Sequence, residues 1–186
     1  MRRFLVLLIT LMLLASAAQA AEAGEPRAFA GESTDAARTE ARTEAAAQSE
    51  TAAESAAVRV AVIDSGISTG AVSAERIAAG YNYIRPQDGT EDKLGHGTAV
   101  AAIIAGSEKA RVTGICPTAA LVPLVYCSAD EDAREVSGGT AMTAQAVYDA
   151  VDVYGCRIIN ISSGTAADSK TLRDAVDYAA SRGALV

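Results

Sequence analysis

The chain has 186 residues and a formal net charge of −7, and half of its residues are hydrophobic. That length suits one domain plus extensions, and the acidic balance excludes the basic footprint of a nucleic-acid binder, so no nucleic-acid partner is expected. Aromatic residues are few and tryptophan is absent, which leaves alanine and β-branched residues to pack the core.

Residues 1–20 read as an export signal: Arg2 and Arg3 form a charged start, residues 4–14 are apolar apart from Thr10, and Ala18-Gln19-Ala20 offers a small-x-small cleavage site. The alternative is a membrane anchor, but the apolar run is shorter than the roughly 20 residues that span a bilayer. A secreted or extracytoplasmic protein without stable membrane insertion is therefore expected. Residues 21–57 are a low-complexity tract of Ala, Glu, Thr, Arg and Ser, with Phe29 as its one aromatic. Such a tract buries too little surface to offset its ordering entropy. It reads as a linker or, less simply, a short pro-segment.

The domain is expected over 58–186. Residues 58–63 form a β-branched run, consistent with a strand buried on both faces and ending at Asp64-Ser65-Gly66. A short helix is expected over 71–79 with Gly80 as its C-cap, then a strand over 81–84 and an acidic loop. Residues 97–105 read as a helix of small residues ending at Gly106. A strand follows over 119–126, with Pro123 an objection because proline lacks a ladder donor. Residues 130–139 read as a charged surface loop. The helix at 140–154 places Val147, Ala150, Val151 and Tyr154 on one face. Then come a strand over 157–161, a helix over 168–182 and the opening of another strand at 184–186. This alternation predicts an α/β fold, a parallel sheet with helices on both faces. Functional residues in such sheets gather beyond the carboxyl ends of the strands. Asp64, His96 and Ser162-Ser163-Gly164 are expected on that one rim.

Cys116, Cys127 and Cys156 match no zinc spacing. They read as small core residues, with one disulfide out of three possible pairings as the alternative.

Asp64 at a strand end and His96, the only histidine, at a helix start are two members of a charge-relay constellation. Taken alone, Asp64 reads more simply as a turn aspartate satisfied by backbone amides. Taken together, the stretches are specific. Val60-Ala61-Val62-Ile63-Asp64-Ser65-Gly66 resembles the aspartate motif of subtilisin-like serine peptidases, and Asp92-Lys93-Leu94-Gly95-His96-Gly97-Thr98 resembles their histidine motif, in the order Asp then His. Gly114-Ile115-Cys116-Pro117-Thr118-Ala119-Ala120-Leu121 and Ile158-Ile159-Asn160-Ile161-Ser162-Ser163-Gly164 resemble two further segments of that family, so the likeness runs from Val58 to Val186. It implies a subtilisin-like three-layer fold, stopping before the family's last strands. It also implies Asp64 and His96 as catalytic residues of an endopeptidase with a polypeptide substrate, and Ser162, Ser163 and Gly164 as substrate-binding residues that pair with the peptide as an added strand.

The departures are equally definite. The family's serine lies in a Gly-Thr-Ser-x-Ala context that occurs nowhere in the 186 residues, and its oxyanion asparagine is missing too. Without a nucleophile the acyl-enzyme route is closed, so the chain alone is expected to be inactive. A non-catalytic pseudopeptidase that binds peptides or proteins is the alternative. The stretch 107–113, which matches the family's calcium loop, has no Asn, so no metal is expected, and no cofactor. An unrelated nucleotide- or phosphate-handling domain is disfavoured, because no phosphate loop or Gly-x-Gly-x-x-Gly lies near Asp64.

Overall fold

The structure is a computed structural model in which residues 57–107 and 111–186 are described. The export segment 1–20 and nearly all of the 21–57 tract lie outside the described residues, as do residues 108–110 of the stretch compared with a calcium loop. The elements are β1 (Arg59–Asp64), β2 (Tyr81–Asn82), α1 (His96–Ala105), β3 (Ala120–Val125), β4 (Cys127–Ala129), β5 (Glu135–Ser137), α2 (Gly139–Asp152), β6 (Ile158–Ile161) and α3 (Lys170–Ser181).

Four strands form a parallel sheet in the order β2-β3-β1-β6. Leu185 extends it beyond β6 through a parallel bridge to Ile158, with Ile159 donating to the Leu185 carbonyl at 2.8 Å and Leu185 donating to Arg157 at 2.9 Å. β1 is apolar throughout because both its faces are covered. Val60 and Val62 pack with Leu121, Ala101 and Ala105 under α1. Ala61 and Ile63 point the other way, into a core with Val122, Leu124, Val147, Ala150, Ala175 and Ala179 under α2 and α3. The result is three layers, helix on sheet on helix. The buried stripe of α1 is Gly97, Ala101, Ala102 and Ala105, small enough to let the helix lie close to the strands.

Pro123 sits in β3 without breaking the β1 ladder. The carbonyls of Leu121 and Val125 accept from Ala78 and Tyr83, on the β2 side. Alternation turns Pro123 to that same side, where pairing is sparse.

Three local expectations are corrected. The helix over 71–79 is a single 3-10 turn, Ala74–Arg76. Ile77 then bridges to Leu121 and Ala78 donates to the Leu121 carbonyl at 2.8 Å, so pairing with the sheet overrides helix formation. Gly80 is not a left-handed cap; a Cβ there would sit 1.9 Å from the Pro123 carbonyl oxygen, so glycine is needed for close approach. The strand at 81–84 stops at Asn82 because its Oδ1 accepts from the amides of Ile84 and Arg85 and curls the chain away. The surface loop 130–139 proves to be partly paired. β4 and β5 form an antiparallel hairpin, closed by Asp130, whose Oδ1 accepts from the amides of Asp132 and Arg134.

Cys127 and Cys156 are buried, Cys116 is half-buried, and all three are free thiols.

Candidate active site

Strand parity decides where the Asp64 side chain goes. It follows Val60 and Val62, so it leaves β1 on the α1 face. There its carboxylate is 4% exposed, a costly burial without hydrogen bonds. Oδ1 accepts from the Ser65 amide at 2.7 Å and from the Ser65 hydroxyl at 3.2 Å. The remaining partner is His96, whose Nδ1 lies 2.8 Å from Oδ1 and 3.0 Å from Oδ2.

The histidine is delivered by the first turn of α1. Gly95 precedes it with φ +88°, a left-handed conformation that glycine adopts at little cost. Gly97 permits the approach of helix to strand: a Cβ there would lie 2.3 Å from the Gly66 carbonyl oxygen and 3.1 Å from the Asp64 Cβ. The Gly97 amide donates to the Ser65 hydroxyl at 2.9 Å, so one serine ties both elements together. Asp92 holds the helix start: Oδ1 accepts from the amides of Leu94 and Gly95, and Oδ2 from the Thr98 amide at 2.8 Å. Burial pushes the Asp92 carboxyl up, but hydrogen bonds from Thr98, Gly95 and Ser65 outweigh it and leave it below the ordinary 3.8.

A carboxylate only accepts, so with Asp64 ionised the ring proton resides on Nδ1 and Nε2 keeps its lone pair. The ring is 59% exposed, and Nε2 has no hydrogen-bond partner among the described residues. The arrangement is a buried acceptor, an oriented imidazole and a free basic nitrogen facing outward. That is the geometry of a general base.

Residues 162–164 follow β6, which runs parallel to β1 with Ile161 opposite Ile63, so they leave the sheet on the rim that carries Asp64. All three are exposed, and the Asn160 side-chain Nδ2 donates to the Ser162 hydroxyl at 2.8 Å. No hydrogen bond joins them to Asp64 or His96 among the described residues. Tyr126 was not singled out from the sequence, and Cys127 was read there only as a small core residue, not as a neighbour of Asp64. Tyr126 donates its amide to the Asp64 carbonyl, and burial pushes its hydroxyl up, with Ser163 acting the other way. Cys127, next along, has its thiol pushed up to about 12 by burial and then by the nearby charges of Asp64 and Glu135. Ser65 was also missed as a link; only its position directly after the aspartate could have marked it. A surface hollow of about 530 Å³ lies away from this pair, between Thr165 and Asp177.

Residues 55–186 match the model of the subtilase family. Subtilisin BL of Lederbergia lenta is 35% identical over 126 residues, covering 67% of this chain and 44% of that protein. Among solved structures, the MycP3 protease from the type VII (ESX-3) secretion system is 33% identical with a TM-score of 0.55, covering 77% of this chain and 44% of that one. A cold adapted subtilisin-like serine proteinase superposes with a TM-score of 0.56 at 28% identity, covering 68% and 44%. The chain spans less than half the length of each of these relatives. The family match covers most of the chain, and its Asp–His geometry lies inside the matched region, so the chain belongs to the subtilase family, the subtilisin-like serine peptidases.

Proposed function

We propose that this chain supplies the aspartate and histidine of the charge relay of an exported endopeptidase acting on polypeptides. In this reading His96 Nε2 takes the proton of a serine hydroxyl, and Asp64 fixes the tautomer and stabilises the imidazolium. A substrate backbone pairs along Ser162, Ser163 and Gly164 as an added strand. Residues 1–20 act as the export signal and 21–57 as a linker. The observation that carries the reading is the 2.8 Å contact between His96 Nδ1 and the buried Asp64 carboxylate.

The nucleophile has to come from polypeptide outside these 186 residues. Ser65, the serine bonded to the pair, is committed to the Asp64 carboxylate and the Gly97 amide, so it is not poised for attack. Alone, the chain should neither label with a fluorophosphonate nor cleave casein. Reading the locus past the codon for Val186 tests the peptidase reading directly. An Asn-containing turn and then Gly-Thr-Ser are expected; an immediate stop codon overturns it. Robust fluorophosphonate labelling of the 186-residue chain would overturn the assignment of the nucleophile to another segment.

A second reading, a pseudopeptidase that binds peptides without cutting them, is favoured by the lack of a Gly-Thr-Ser-x-Ala motif in these 186 residues. A monomeric, cooperative thermal melt of the isolated chain, with peptide binding and no turnover, would select it.

A further inference from the structure

Arginines gather at the foot of the sheet, the end of β1 opposite to Asp64. Arg59 opens β1 and is half-buried. Ala61 and Ile63 face the core under α2 and α3, and strand alternation turns Arg59 to that same side. Its Nε is buried without a hydrogen-bond partner, the one such side-chain nitrogen or oxygen among the described residues. Buried donors are almost always paired, so this one calls for an acceptor.

Arg157 meets Arg59 just before β6. Its amide donates to the Arg59 carbonyl at 3.3 Å. Its side chain reaches the end of α3, where Nε donates to the Gly183 carbonyl at 3.3 Å. A Cβ on Gly183 would lie 3.5 Å from Arg157 Nη2. The guanidinium therefore lies on the α3 side of the sheet, the side to which Arg59 turns. Arg182, at the C-cap of α3, adds a third positive charge next to Gly183. A helix C-terminus attracts a cation, which accounts for Arg157 but not for the buried Nε of Arg59. The chain has 23 acidic and 16 basic residues, yet none of the ion pairs among the described residues involves these three arginines. Neighbouring guanidinium groups repel unless an anion lies between them.

We propose that Arg59 and Arg157 form a binding site for an oxyanion, a phosphate or a carboxylate, at the foot of the sheet and away from the Asp64–His96 rim. A planar guanidinium offers paired donors that match such a group. Two sources share this chemistry: free inorganic phosphate, and the carboxylates of Glu50 and Glu54 just upstream of Arg59 in the sequence. The site stands apart from the peptidase reading.

Phosphorus-31 NMR of inorganic phosphate, titrated with the full chain at constant low ionic strength, reads the binding directly. Saturable binding with a dissociation constant of about 1–10 mM is expected, weakening as added chloride screens the charges. Arg59→Gln should weaken it by about tenfold, as loss of a charge-assisted hydrogen bond does. Arg157→Gln changes an exposed side chain outside the core, so it should weaken binding even if Arg59→Gln fails to fold. Glu50→Gln combined with Glu54→Gln separates the two sources. A phosphate affinity raised about threefold in that chain assigns the site to the upstream carboxylates, which compete by mass action; an unchanged affinity assigns it to a free anion. No saturable binding in either chain, or binding that survives both arginine substitutions, overturns the site.

Discussion

Asp64 Oδ1 and His96 Nδ1 lie 2.8 Å apart although the residues are 32 positions apart in sequence. Two constraints produce the contact. The parity of β1 turns the carboxylate towards α1, and the small residues of α1 let its first turn settle on the strand end.

Gly97 is the tightest point of that contact. Gly97→Ala would place a Cβ 2.3 Å from the Gly66 carbonyl oxygen, so helix and strand must separate. Overpacking of this kind costs about 1–3 kcal/mol. A lower urea midpoint is expected, together with loss of the His96–Asp64 hydrogen bond by NMR. A variant with unchanged midpoint and an intact bond would mean that α1 is not held where it is described.

The imidazole can be read without ambiguity because the chain holds one histidine. Nitrogen-15 NMR near neutral pH should find the proton of the neutral ring on Nδ1. Asp64→Asn replaces a pure acceptor by a group that can also donate, so the tautomer preference should collapse. In an assembled enzyme the same change should lower kcat by about 10⁴-fold, as wrong-tautomer substitutions do. A ring that carries its proton on Nε2 in the unaltered chain would remove the general-base role.

Asp92 supports the same helix through its charge. A carboxyl lowered in the fold stabilises it above the unfolded value, and that contribution is lost as pH falls through the folded value. The Asp92 carboxyl lies below 3.8 in the fold, so its contribution is present at neutral pH and fades below about pH 4. Asp92→Ala should cost about 1 kcal/mol near neutrality, as loss of a helix-capping carboxylate does. Urea melts should show that gap narrowing in acid. An equal gap at both pH values would assign Asp92 a role independent of charge.

Much of this was legible because it depends on local pattern. The apolar run of β1, the glycine-flanked histidine and the small-residue helix each follow from residues within one segment, and alternation of strand and helix gives the parallel sheet. What was not legible depends on pairing partners distant in sequence. Ile77 leaves a helical segment because Leu121 offers it a strand edge. The β4–β5 hairpin forms around an aspartate turn inside a stretch that reads as a charged loop. Ser65 matters only because the Gly97 amide arrives beside it. Tyr126 and Cys127 join the rim because β3 pairs in register with β1, which no pattern within β3 announces.

The three cysteines offer a solution test of that burial. Thiolate, not thiol, is the reactive form, and a free thiol titrates near about 8.5. Burial pushes Cys127 and Cys156 up to about 12, which leaves roughly one molecule in ten thousand as thiolate near pH 8. Cys116 is half-buried on the outer side of the α1 core, its sulfur 3.8 Å from the Thr118 hydroxyl. Ellman's reagent should therefore find one reactive thiol in the folded chain and all three in guanidinium, and Cys116→Ser should abolish the early reaction. Mass analysis of the alkylated peptides identifies the site. Rapid modification of Cys127 in the folded chain would mean that the β4–β5 hairpin lifts off the rim.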